Sequence, residues 1–184
     1  MMLQLIDDVN KALDAECYYS ALTLALTFPD ICGKAEYPQK NNTKRYIDWY
    51  DEHIGKYEQC PCEQCEKTPM PYLSGEVVYS LRNSLLHQGT SNITADKIKD
   101  DNNKIDRFEL VLESKKSFDI YCDAAGIDNN NLKTYRVNVR RLCLILCLTV
   151  RGYYEANRDK FDFFHCSIID WDSKVDKIHL KSGI

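Results

Sequence analysis

The sequence predicts a mainly α domain with a small antiparallel β-ribbon. Three observations carry that expectation. Apolar residues recur at helical spacing over 2–28, 43–56, 72–89 and 132–158. One stretch, Arg107–Glu113, alternates instead, with Phe108, Leu110 and Leu112 on one side. The chain has 184 residues, 44% hydrophobic and 28% charged, enough for one real core and ordinary for a globular protein. The expected organisation is a single domain over 1–184, with a core in about 2–160 and a C-terminal strand and polar tail in 161–184.

In chain order, Leu3, Ile6, Val9, Leu13, Tyr18, Ala21, Leu24, Ala25 and Phe28 predict one long helix that Pro29 breaks. Asp30–Gly33 is expected as a turn. Asp30 either caps that turn or serves as a carboxylate partner for a later arginine. Residues 33–42 read as a polar loop, after which Thr43 caps a helix to about Lys56 with an aromatic side of Tyr46, Trp49 and Tyr50. His53, on that helix, reads as a packed or solvated residue rather than a ligand.

Residues 57–71 form a loop that carries Cys60, Cys62 and Cys65. One C-x2-C knuckle and a third thiol fall short of the four ligands that structural zinc takes. His53 or Cys32 would have to complete the set, so the expectation is no metal and free thiols. The chain has nine cysteines, and its N-terminus has acids where a signal peptide would have bases. Reduced thiols in the cytoplasm are therefore expected. The longest apolar run, Leu142–Val150, is far below the roughly 18 residues that span a bilayer, so no membrane association is expected.

Ser74 and Gly89 bound the most informative stretch, YLSGEVVYSLRNSLLHQG, as N-cap and helix stop. Val77, Val78, Leu81, Leu85 and Leu86 give it an apolar side, and Arg82, Asn83 and His87 sit near its end. An arginine matches phosphate oxygens bidentately, and a histidine moves protons near neutral pH. Arg82 is equally suited to a buried ion pair with Asp30 or Asp48. Positions five apart on an ideal helix differ by about 140°, so Arg82 and His87 should not share a face.

Further on, residues 90–103 read as loop, Asp119–Gly126 as a short helix and 129–131 as a turn. Phe164–Trp171 is expected as a strand paired antiparallel with Arg107–Glu113, and 173–184 as a frayed tail. In the helix over 132–158, Leu142–Val150 is apolar on every side and should be the central buried helix. Its first half holds Lys133, Arg136, Arg140 and Arg141, with Arg136 and Arg140 one turn apart. That face is a candidate surface for RNA phosphates, or a solvated helix end. The net charge of −4 excludes a general basic coat, so any RNA contact must be local.

Arg82-Asn83-Ser84-Leu85-Leu86-His87 resembles the R-x4-6-H motif of the HEPN superfamily. Ala21–Gly33 (ALTLALTFPDICG) and Arg45–Trp49 (RYIDW) are similar to a group of uncharacterised bacterial HEPN-like proteins, and the resemblance covers about the first 160 residues. It implies a HEPN-like helical bundle, often dimeric, and a metal-independent endoribonuclease or RNA-binding protein with no cofactor. His87 would transfer protons, Arg82 would stabilise phosphoryl oxygens and Asn83 would orient substrate or His87. Asp30, Arg136 and Arg140 would bind substrate. A homodimer through the Tyr72–Gly89 helix would gather Arg82 and His87 into one composite cleft. The implied partners are RNA, a second copy and a nucleotidyltransferase-type antitoxin. The competing class is a non-catalytic interaction module on the same fold, and a third is a small metal-binding protein built on the Cys60/Cys62/Cys65 loop.

Overall fold

The computed structural model describes residues 1–59, 70–93, 98–112, 123–165 and 171. Among the described residues six α-helices pack around one apolar core: α1 (Met2–Asp14), α2 (Tyr18–Ala25), α3 (Phe28–Glu36), α4 (Asn42–His53), α5 (Gly75–Gln88) and α6 (Val139–Ala156). A three-stranded sheet stands beside them, with β1 (Arg107–Val111), β2 (Ala124–Ile127) and β3 (Lys133–Asn138) in the order β1-β3-β2.

The single long helix expected over 2–28 is two helices and the start of a third. After α1 the chain makes a Schellman closure: Cys17 N–H donates to the Ala12 carbonyl at 2.8 Å and Glu16 N–H to that of Leu13 at 3.1 Å. Glu16 takes the left-handed conformation, φ 59°, that this closure requires. Pro29 begins α3 rather than ending a helix, because a first-turn residue has no intrahelical N–H bond to lose. Asp30 thus lies in the first turn of α3, where a carboxylate suits the positive end of the helix dipole.

Gly33 sets how closely α3 and α4 approach. A Cβ there would meet the Arg45 carbonyl oxygen at 2.5 Å, and the Arg45 Cγ at 3.4 Å. Only a bare backbone admits α4 and the stem of Arg45 at this distance. On its inner face α4 buries Tyr46, Trp49 and Tyr50. His53 packs between the rings of Trp49 and Tyr153, at 4.8 and 5.1 Å, as the packed reading anticipated.

The sheet corrects three expectations. Residues 133–138 are strand, not helix: Tyr135 and Val137 point into the core and Arg136 outward, the two-residue alternation of a half-buried strand. Residues 124–127 are strand rather than part of a short helix. The partner of β1 is β3, and the pairing is parallel, so the sheet is mixed and not a simple antiparallel ribbon. Its antiparallel half joins β2 to β3 through a tight turn. There Asp128 Oδ1 accepts from the N–H groups of Asn130 and Leu132 at 2.8 and 2.9 Å. Of the strand expected over 164–171, Phe164 and His165 are not strand, and 166–170 lie outside the described residues. The tail over 173–184 lies outside them too.

Strand β3 runs straight into α6, with Asn138 as both the last strand residue and the helix N-cap. Inward, α6 presents Leu142, Cys143, Leu146, Cys147, Val150 and Tyr153. It is not buried on every side: Leu148 is 70% exposed. Among the described residues no helix is long and apolar enough to cross a membrane.

Candidate functional site

The helix read most fully from sequence is α5. Ser74 is its N-cap, accepting from Val77 N–H at 3.4 Å, and the Asp51 carboxylate takes Gly75 N–H at 2.6 Å. Gly89 ends it at φ +66°, with no atom near the position of an absent Cβ. This stop leaves His87 in the last turn, exposed.

Arg82 is the hub of the site. Its Nε donates to Asp30 Oδ2 at 3.1 Å, and Nη2 lies in ion-pair contact with the same oxygen at 3.0 Å. Nη1 donates to Asn83 Oδ1 at 2.9 Å and meets His87 Nε2 at 3.2 Å. The expectation that Arg82 and His87 are held apart by helix geometry is overturned: the long arginine stem closes the angular gap within one chain. A guanidinium has no acceptor, so the imidazole nitrogen must accept. In this contact His87 is therefore neutral, with its proton on Nδ1. Three of the five N–H bonds of Arg82 are committed to hydrogen bonds, and Nη2 stands against the Asp30 carboxylate as an ion pair.

Burial raises the Asp30 carboxyl above its ordinary range; the charges of Arg82 and Arg45 pull the other way without cancelling it. Asp30 thus faces two arginines, Arg82 from α5 and Arg45 from α4. One is hydrogen-bonded and the other is not. The Nε of Arg45 is buried without a partner, and among the described residues Arg45 makes no ion pair within 4 Å. Close by along the same two helices, Thr43 Oγ1 and Tyr79 Oη lie 2.8 Å apart and tie α4 to α5.

The two other arginines expected to bind substrate do not join this site or each other. Arg136 lies on β3, paired with Glu109 of β1 at 2.7 Å. Arg140 is 7% exposed in the first turn of α6, its guanidinium over the Tyr18 ring at 4.7 Å and bonded to the Tyr18 hydroxyl. It also reaches the Leu13 carbonyl at 3.5 Å, at the end of α1. The shared basic helix face therefore does not form, because the first of its residues are strand. The next residue, Arg141, is enclosed by acids: Nη1 donates to Asp123 at 2.8 Å and Nη2 to both Glu58 oxygens at 2.8 and 2.9 Å.

Cys60, Cys62 and Cys65 lie outside the described residues. Among those described, Cys17, Cys32, Cys143 and Cys147 are free thiols, and burial pushes Cys143 and Cys147 up to about 12. No group of three or more His, Cys, Asp or Glu side chains among the described residues is placed to hold a metal ion.

Arg45 is the residue that sequence reasoning passed over. Its placement depends on Gly33, twelve residues earlier on a different helix but directly against Arg45 in space. Comparisons with family models, with curated proteins and with solved structures found no match to this chain.

Proposed function

We propose that this chain is an RNA-directed protein of the HEPN type, a metal-independent endoribonuclease in which His87 transfers the proton and Arg82 serves the phosphoryl group. The observation that carries the reading is the Arg82–His87 contact at 3.2 Å, at the protein surface and braced by Asp30 and Asn83. In this reading the phosphodiester draws the guanidinium onto its oxygens, which frees the Nε2 lone pair of a neutral His87. His87 then takes the 2′-hydroxyl proton as that oxygen attacks phosphorus. The P–O5′ bond breaks and the 5′-oxygen takes a proton from water, giving a 2′,3′-cyclic phosphate and a 5′-hydroxyl, while His87 returns its proton to solvent. Arg82 stabilises the charge gathering on the phosphoryl oxygens, while Asn83 orients the guanidinium. The resemblance behind this reading also implies a homodimer and a nucleotidyltransferase-type antitoxin as protein partner, while Arg82 and His87 already meet within one chain.

A specific observation favours a second reading. Arg82 is held by three internal partners, Asp30, Asn83 and His87, as suits an arginine that organises the surface of a non-catalytic interaction module. One experiment separates the two. Structured and single-stranded RNA are incubated with the protein in excess EDTA, and product ends are analysed. Cyclic phosphate ends that vanish in His87→Ala support the ribonuclease. Cleavage that persists in His87→Ala, or no cleavage by the wild type, transfers the site to the interaction module. Sedimentation at micromolar concentration tests the dimer.

A further inference from the structure

We infer that Arg45 is a second phosphate-contacting guanidinium of this site, and the one that is free to receive the anion. The inference rests on the reading of the site as one that binds a phosphodiester. Three features of the structure lead to it.

The first is placement. Gly33 admits the Arg45 stem across α3, with Cγ 3.4 Å from where a Cβ would stand. One helical turn before Gly33 is Asp30, and the Arg45 charge acts on it. Arg45 and Arg82 thus flank one carboxylate from two helices.

The second is availability. Arg82 has spent three of its five donors on hydrogen bonds, and its Nη2 is ion-paired with Asp30. The Arg45 side chain has no hydrogen-bonding or ion-pair partner among the described residues, and its Nε is shut away from water. A buried donor left without an acceptor is costly, and no side chain among the described residues relieves that cost for this guanidinium. Arg45 as a whole remains part-exposed. An anion reaching its outer nitrogens would gain a charge-assisted bond without displacing an internal one.

The third is charge. Arg45, Arg82 and Asp30 carry a net +1 with His87 neutral. This is a local positive surplus on a chain of net charge −4, and one monoanionic phosphodiester neutralises it.

The test is binding of a short fluorescein-labelled single-stranded RNA as salt is varied, by anisotropy, with circular dichroism to confirm folding. Arg45→Gln should bind about tenfold more weakly at low salt and lower the slope of log K against log salt by about 0.7. Arg45→Lys keeps the charge and should keep the slope. Arg151→Gln, a control on the outside of α6, should leave both unchanged. An unchanged affinity and slope in Arg45→Gln overturns the inference. If the wild type binds no RNA, the RNA-directed reading fails, and inorganic phosphate then decides on Arg45. A rise in Tm with phosphate that Arg45→Gln abolishes upholds the second guanidinium; no rise, or an equal rise in both, overturns it.

Discussion

Arg82 and Arg141 are each held by carboxylates, and the two clusters have opposite characters. Arg141 is clasped by Glu58 and Asp123, whose side chains are each 8% exposed. Two acids outnumber one base, and every partner points inward. Arg82 is held by one acid, Asp30, with exposures of 22% and 21%, while a second arginine stands beside them and an exposed histidine completes the group. Burial raises the carboxyl of Asp30 and of Asp123 alike. Titration therefore does not distinguish the clusters. What does is the sign of the surplus charge and whether it reaches solvent. The Arg141 cluster cross-links β3 and α6 to the segment after α4; the Arg82 cluster keeps positive charge to spare at the surface.

The largest difference should be in stability. Arg141→Met strands two buried carboxylates and should cost about 3–5 kcal/mol, read by urea denaturation. A loss below about 1 kcal/mol would remove the contrast. Next is Gly33→Ala, whose methyl would meet the Arg45 carbonyl oxygen at 2.5 Å. It should cost about 1–3 kcal/mol, because helix backbones rather than a flexible tip must give way. Arg82→Met should cost about 1 kcal/mol, since a partly solvated single pair falls between surface and buried cases.

The pH dependence of Asp30 follows from its raised carboxyl. Its native form holds the proton more tightly than the unfolded chain does. The stability tied to that proton is present below the ordinary value of 3.8 and is lost as pH rises through the native value. The stability of the wild type relative to Asp30→Asn should therefore fall as pH rises from 3.8 upward. A difference that grows with pH would mean that Arg82 outweighs burial. The smallest effect on stability belongs to His87→Ala, within about 0.5 kcal/mol for an exposed last-turn residue. The same variant should lower any RNA cleavage by about 10²–10⁴-fold. That split between stability and activity is what most sharply separates this cluster from the one around Arg141.

How far the sequence discloses all this depends on whether the signal is local. The bounds of α5 were legible because a serine cap and a glycine stop act on adjacent backbone. The Asp30–Arg82 pairing was legible as one option, since an acid and a base on separate helices only needed a fold to meet. The start of α6 was misplaced because arginines at 136 and 140 share helical spacing, while the competing signal, Tyr135 and Val137 inward around Arg136, spans only six residues of strand. Arg45 was illegible: its role depends on a glycine in another helix and on donors already used by another arginine, and neither fact is written near it in the chain.

The join at Asn138 has a mechanical consequence. No linker separates β3 from α6, so a single residue belongs to both the sheet ladder and the helix cap. Asp123 grips this junction twice, taking Asn138 N–H at 2.8 Å and, three residues on in the first turn of α6, the Arg141 side chain at 2.8 Å. The central strand and the long helix therefore lack an intervening hinge and should open as one cooperative unit. Amide protons of Tyr135 and Val137 are expected to exchange with the same opening free energy as those of Leu142 and Leu146, and to fall together when Asp123 is replaced by Ala.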